Sequence, residues 1–431
     1  MNGRLPALLQ AYRTGLILAE PAAGALLAWR ARKGKEDPAR LGERRGYAGR
    51  PRPPGPLAWA HGASIGETLS LLPVIERLTR SGLSVLVTSG TRTSAELLAR
   101  RLPPGALHQF VPLDAPRYVR RFLDHWRPDL ALLAESEIWP NTILELDRRA
   151  IPLILVNGRL SERSFRRWAK WPAVARALLA RFALCIAQTS DDAERLAQLG
   201  APRIAVSGNL KFDANAPPAD PRSLSSLSGA LAGRLVWVAA STHPGEDESV
   251  AQAHVALART FPNLLTILAP RHPGRGEEIA AIAGGLGLRA VRRSHGAEPD
   301  GTVDLYVADT IGELGLFYRL SPLVLMGGSL VPHGGQNPIE PAKLGAAILH
   351  GPHVDNFAQV YAALDGAGGA LRLADADALV PALADLLADE SLMREMARAG
   401  AEALEGFTGA VERTMASIEP FIASMRLEAR A

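Results

Sequence analysis

Short apolar runs alternate with stretches of helical period along almost the whole chain, and this constrains the fold more than any other feature. The first runs lie at residues 57–61, 84–88, 107–111, 130–134, 153–156, 184–187 and 204–207. Each is largely apolar rather than alternating, which marks a strand covered on both faces. The stretches between them, such as 67–80 and 94–101, carry apolar residues at helical spacing. Strand then helix, repeated, builds parallel β-α-β units.

The pattern stops once and restarts. Residues 213–228 are rich in Ala, Pro, Asp and Ser and have little periodicity, as an interdomain linker does. Beyond them the apolar runs resume at 235–240, 264–269, 304–307, 323–326 and 347–349, followed by helical stretches at 376–387, 391–403 and 411–426. The expectation is two α/β domains, 51–212 and 234–410, with a linker at 213–233 and a last helix at 411–431. Open parallel sheets bind ligands beyond the carboxyl ends of their strands. A site is therefore expected in a cleft between the domains, on the turns that follow the runs.

Residues 1–50 precede this pattern. An apolar segment near residues 5–29 is interrupted by Arg13, Glu20 and Pro21, so no unbroken run is long enough to span a bilayer. Basic residues follow it (Arg30, Arg32, Lys33, Lys35, Arg40, Arg44 and Arg45), and no clear small-residue cleavage site does. An apolar helix trailed by cations suits an interfacial anchor on anionic lipid. A helix packed on the domain is the other reading. The formal net charge of +4 fits an anionic partner. No basic block is interleaved with aromatics, so nucleic acid is not expected. The single cysteine, Cys185, excludes an intrachain disulfide and a cysteine-built zinc site.

Polar clusters follow the runs, as the fold requires. The first run leads into His61-Gly62-Ala63-Ser64-Ile65-Gly66-Glu67. Small residues allow a tight strand-to-helix turn, and Glu67 falls in the first helical turn. It is either a general base for an incoming hydroxyl or a carboxylate satisfying the helix dipole. The fourth run ends in Glu135-Ser136-Glu137-Ile138-Trp139-Pro140. Two carboxylates there are costly unless paired or solvated, and Arg159 or Arg163 are candidate ion-pair partners. Lys211, after the seventh run, offers a cation to a phosphate or sugar carboxylate, or is an ordinary surface lysine.

In the second half, Pro270 and Arg271 end a run where a cation makes a phosphate clamp. Ile311, Gly312 and Glu313 precede a helix start whose amides can receive a ligand. The densest cluster, residues 326–341, is rich in glycine and includes Asn337, Pro338, Ile339 and Glu340, with Glu340 placed to accept ribose hydroxyls. It is neither a dinucleotide fingerprint nor a P-loop. His243, His272 and His333 lie on separate loops without metal-ligand spacing, and no D-x-D ends a run, so no metal is expected.

Taken together, Ser64-Ile65-Gly66-Glu67, Glu135-Ser136-Glu137-Ile138-Trp139-Pro140, Arg159-Leu160-Ser161, Leu210-Lys211-Phe212-Asp213, Pro270-Arg271-His272-Pro273 and Asn337-Pro338-Ile339-Glu340 closely resemble the Kdo (3-deoxy-D-manno-octulosonic acid) transferases, over nearly the whole chain. The resemblance implies a GT-B fold of two Rossmann-like domains, acceptor-binding first and CMP-Kdo-binding second. It implies inverting, metal-independent transfer of Kdo to a lipid A precursor (lipid IVA) in lipopolysaccharide synthesis, with no cofactor. It also implies a membrane-associating first helix on the cytoplasmic face of the inner membrane. Glu67 matches the family's proton acceptor, and Glu135 and Lys211 match residues supporting the transition state. Pro270, Arg271, Ile311, Gly312, Glu313, Asn337, Pro338, Ile339 and Glu340 match segments that hold CMP. The competing readings are a GT-B-type sugar-nucleotide epimerase, which needs no lipid-facing helix, and a non-catalytic peripheral membrane scaffold, in which the carboxylates are dispensable.

Overall fold

Every apolar run read as a strand becomes one in the computed structural model, which describes residues 5–213 and 216–428. The strands are β1 (Leu57–His61), β2 (Ser84–Ser89), β3 (Ala106–Phe110), β4 (Leu130–Ala134), β5 (Leu153–Gly158), β6 (Leu184–Ala187) and β7 (Ile204–Val206) in one sheet. A second sheet holds β8 (Leu235–Thr242), β9 (Leu264–Pro270), β10 (Ala290–Arg292), β11 (Leu305–Val307), β12 (Leu323–Met326), β13 (Ala347–His350) and β14 (Ala370–Arg372). All pairings are parallel.

The described residues up to 213, with those from Phe407 on, form one compact unit, and those between form the second, to Gly406. The first sheet runs β3-β2-β1-β4-β5-β6-β7 and the second β10-β11-β9-β8-β12-β13-β14. Both orders start from a central strand and wind outward in two directions, as in doubly wound folds. In the first unit, helices cover both faces. Val119, Phe122, Ile143 and Leu178 pack on one face with Trp59 and Leu133. Leu71, Ile75, Ile418 and Ile422 pack on the other with Val85 and Leu132. Burial of each such side chain contributes about 1.5–3 kcal/mol.

Two features of the linker and the C-terminus differ from the sequence expectation. The C-terminal helix, Ala410–Glu428, packs on the first sheet rather than standing apart, because Ile418, Ile422 and Met425 supply an apolar stripe that this core takes in. The stretch read as linker carries a helix, Pro221–Ala230, capped by the Asp220 side chain, and its Leu227 is buried. Leu227 is the one residue of this helix that is buried, so few apolar positions mark it in the sequence. Part of that linker, residues 214–215, lies outside the described residues.

The N-terminal segment is a single helix, Ala7–Arg32, with Pro21 inside it. Leu9 and Leu27 are buried, while Leu18 is 76% exposed and Trp29 50%. Its basic tail is less free than composition suggests. Arg30 and the buried Arg44 both pair with Glu36, and Arg40 pairs with Glu43. Arg32, Lys33 and Lys35 remain exposed. Among the described residues, no helix is long and apolar enough to cross a membrane.

Candidate active site

The first sheet changes winding direction between β1 and β4, and ligands of open α/β sheets bind in the crevice beyond the carboxyl ends at such a point. Glu67 follows β1, and Glu135 and Glu137 follow β4. Both strands are buried throughout, so the chain can carry charge only where they end.

Glu67 is held by a variant of the capping box. Ser64 caps the Ile65–Arg80 helix, its Oγ accepting from the Glu67 amide at 3.3 Å and donating to Glu67 Oε1 at 2.8 Å. The amide of Ala63 donates to Oε2 at 2.7 Å. The carboxylate thus serves the helix start and is oriented by it. Burial pushes its pKa up; the bonds from Ser64 and Ala63 oppose this, and the negative charges of Glu137 and Glu135 add to it, leaving Glu67 above the usual range.

Glu137 is tuned the other way. Burial alone would raise it, but the His61 ring and the Trp139 indole hold it below the usual range. Trp139 Nε1 donates to Glu137 Oε2 at 2.5 Å, and His61 Nε2 lies 3.4 Å from the same oxygen. Polar contacts from the neighbouring strand position the imidazole. Trp59 Nε1 donates to Thr88 Oγ1 at 2.8 Å, and that hydroxyl lies 2.9 Å from His61 Nδ1. Nδ1 also lies 3.1 Å from the Thr88 carbonyl oxygen, so Thr88 holds the ring by this nitrogen with Nε2 turned toward Glu137. His61 and Trp139 carry no role in the sequence reading. The available signal is a histidine closing an otherwise apolar run.

Glu135 has a φ of 52°, a left-handed conformation that costs a non-glycine residue of order 1–3 kcal/mol. Its Oε1 lies 2.7 Å from Lys211 Nζ, as a counter-ion rather than in a well-aligned hydrogen bond. Its partner is thus Lys211, whereas Arg159 and Arg163 are exposed and have no ion pair among the described residues. Lys211 sits in a one-turn helix, Leu210–Phe212, capped by Asn209. The buried Asn157 accepts from the Leu210 amide at 3.0 Å. Asp213 accepts from the amides of Gly409 and Val411 at 2.7 and 2.5 Å, fastening the start of the C-terminal helix beside Lys211.

In the second unit the expected segments follow adjacent strands. Pro270 closes β9, and Arg271 is exposed beyond it, its amide donating to Thr242 O at 2.9 Å. Ile311, Gly312 and Glu313 follow β11. Ile311 is 87% exposed, and Gly312 has a φ of 87°. Glu313 is bound by Arg293 at 2.7 Å and by Thr310 at 2.5 Å, and the guanidinium holds its carboxyl below the usual range. Asn337, Pro338, Ile339 and Glu340 follow β12. Asn337 Oδ1 accepts from the Ile339 amide at 3.1 Å, its Nδ2 lies 3.4 Å from Glu340 Oε1, and the helix Ile339–Lys343 begins there.

The glycine-rich loop before Asn337 is shaped by Glu246, which also carries no role in the sequence reading. This buried carboxylate accepts from the amides of His243, Gly328, Ser329 and Leu330 at 2.7–3.1 Å. Among the described residues, no group of His, Cys, Asp and Glu is placed to hold a metal ion.

Two doubly wound parallel sheets, each with polar clusters beyond its carboxyl ends, define a protein of the GT-B class. A glycosyltransferase from Rickettsia africae ESF-5 has this fold, with a TM-score of 0.57 at 11% identity over 86% of this chain and 98% of that one. A UDP-GlcNAc 2-epimerase from Neisseria meningitidis has it too, with a TM-score of 0.54 at 15% identity over 86% of this chain and 100% of that one. These likenesses show the fold alone. The family model described as 3-Deoxy-D-manno-octulosonic-acid transferase (kdotransferase) matches residues 39–214. The 3-deoxy-D-manno-octulosonic acid transferase of Haemophilus influenzae is 35% identical over 390 residues, 89% of this chain and 91% of that protein. The chain belongs to the 3-deoxy-D-manno-octulosonic acid transferase family, and its chemistry is glycosyl transfer rather than epimerisation.

Proposed function

We propose that this protein transfers Kdo from CMP-Kdo to a hydroxyl of a lipid A precursor, lipid IVA, with inversion and without a metal ion, in lipopolysaccharide synthesis. The observation that carries the mechanism is the state of Glu67: a carboxylate fixed by Ser64 and Ala63, with its basicity raised by burial and by two neighbouring carboxylates. A base so placed takes the acceptor's proton as the new C–O bond forms at the anomeric carbon. The bond to CMP breaks with its electron pair leaving on the phosphate. Lys211, balanced by Glu135, supplies a cation to the anionic donor, as does Arg271. Pro270, Arg271, Ile311, Gly312, Glu313, Asn337, Pro338, Ile339 and Glu340 are the residues that hold CMP in this reading. Members named as transferases of the same sugar support the donor class.

The helix Ala7–Arg32 lies on the cytoplasmic face of the inner membrane in this account. Its exposed Leu8, Leu18, Leu26 and Trp29, with exposed Arg32, Lys33 and Lys35, suit an interfacial position on anionic lipid.

The test is incubation of the full-length protein in vesicles with CMP-Kdo and a tetraacylated lipid A precursor, with and without EDTA. The expected product gains sugar-acid mass and is unchanged by EDTA. No product from folded protein overturns the proposal, and loss of product with EDTA overturns its metal-independent step.

A further inference from the structure

Three imidazoles that the proposed mechanism leaves unused meet in the second unit. His243 follows β8, His272 follows β9 and His333 follows β12. β8 is the strand between β9 and β12, so the order of the sheet brings these three loops together. The rings of His243 and His333 stack with centroids 4.2 Å apart and planes 20° apart. His272 stands edge-on to His243 at 6.1 Å. His272 and His333 are exposed, and His243 is half-buried with its Nε2 3.3 Å from the Gln336 amide nitrogen.

The charged groups around them favour an anion. Arg271 and Arg275 face the cluster from the β9 loop. Arg275 is neutralised by Asp247 at 2.6 Å and Glu278 at 2.9 Å, while Arg271 has no ion pair among the described residues. The acid nearest in sequence to His243, Glu246, is already committed to four backbone amides. Burial, and then the cationic neighbours His333, His272, Arg271 and Arg275, pull His243 down to about 4. The three rings are not placed to chelate a metal ion. The cluster is thus three imidazoles at the carboxyl ends of the strands, beside the guanidinium of Arg271 and, among the described residues, without a counter-charge of its own.

We propose that the His243–His272–His333 cluster is an anion site that receives an oxygen of the donor's phosphate or of its sugar carboxylate, and that filling it draws a proton onto the imidazoles. The proposal rests on the reading that the second unit holds the sugar nucleotide. A bound anion favours the charged imidazole, so affinity is greatest at low pH and falls as pH rises, by at most about tenfold per pH unit for each linked proton.

The test is calorimetry of the full-length protein with CMP, with inorganic phosphate and with the free sugar acid, near neutral pH in two buffers of unlike ionisation heat. Wild type is compared with His333→Gln and with His243→Gln/His333→Gln. The CMP phosphate itself titrates near about pH 6, and the double variant subtracts that contribution. The expected result is net proton uptake by wild type that the double variant loses, with binding weakened about tenfold at mildly acidic pH, the scale of one charge-assisted contact. Uptake with CMP and phosphate assigns the cluster to the phosphate, whereas uptake with the sugar acid assigns it to the carboxylate. Equal proton uptake and affinity in wild type and variants overturns the proposal while leaving the donor reading intact. Failure of wild type to bind CMP at all overturns the donor reading itself. His333→Gln alone, at an exposed position, loses part of the uptake and decides the matter if the double variant does not fold.

Discussion

Lys211 Nζ lies 2.7 Å from Oε1 of Glu135, tying the loop after β7 to the end of β4. The glutamate is 15% exposed and strained, with a φ of 52°, and the lysine is 30% exposed. Removing the cation leaves a mostly buried carboxylate without a counter-charge, whereas removing both charges does not. Lys211→Met is therefore expected to cost about 1–3 kcal/mol, reduced from the fully buried case because solvent reaches the pair. Lys211→Met/Glu135→Gln should recover part of that loss. Urea denaturation of the three proteins checks this, and an additive double variant contradicts it.

Glu67 gives a separate prediction for stability and for rate. Its pKa is raised on folding, so the stability linked to it is complete below the ordinary glutamate range and lost as pH rises through the folded value. At neutral pH the charged form is a burden on the fold. Glu67→Gln can keep an oxygen for the Ala63 amide and an amide group for Ser64 Oγ. The variant should melt at or above the wild-type temperature at neutral pH. Since only the ionised carboxylate accepts a proton, kcat/KM of wild type should fall as pH drops through the raised pKa, and the acid limb should lie above the usual glutamate range.

Asp309 sets the base of the loop that leads to Ile311 and Glu313. It is buried and accepts from the Ser294 amide at 2.8 Å, Ser294 Oγ at 2.7 Å and Arg292 Nε at 2.8 Å. Burial would raise its pKa, but these bonds overcome it and hold the carboxyl low. The stability this provides is present above the ordinary aspartate range and lost as pH falls through the depressed value. Asp309→Asn should cost about 1–3 kcal/mol at neutral pH and weaken CMP binding. Gly276→Ala should act similarly, because a Cβ there would run into the Asp309 side chain. Thermal melts and CMP titrations of both variants check this.

Most of the twelve strands legible in the sequence are buried along nearly their whole length, since continuous apolar runs announce themselves; the edge strands β3 and β7 are only partly buried but still carry enough apolar residues to be read. β10 and β14 gave no such signal: each has three residues and lies at a sheet edge, and each ends in an arginine. The placement of Glu67, Glu135 and Lys211 after strands could be read, but the partners could not. The Glu135–Lys211 contact spans 76 residues of chain and depends on the order of β4, β5, β6 and β7. The same holds for the hold of His61 on Glu137 and for the amides that converge on Glu246, which geometry brings together from distant loops. Basic composition misled where Arg44 proved buried against Glu36.

The N-terminal helix predicts a membrane phenotype distinct from folding. Leu18 is 76% exposed, so Leu18→Asp should leave thermal stability within about 0.5 kcal/mol. It should nevertheless weaken binding to anionic vesicles at low salt. Sedimentation with vesicles containing anionic lipid measures this, and unchanged binding removes that face of the helix from the membrane account.

The proposed mechanism stands on Glu67 as the base of a Kdo transfer. The most direct measurement is single-turnover transfer from CMP-Kdo to the lipid A precursor by wild type and Glu67→Gln, at saturating substrates. A rate about 10²–10⁴-fold lower is expected in the variant, with CMP affinity and melting temperature preserved. A variant that turns over within a few-fold of wild type contradicts the assignment.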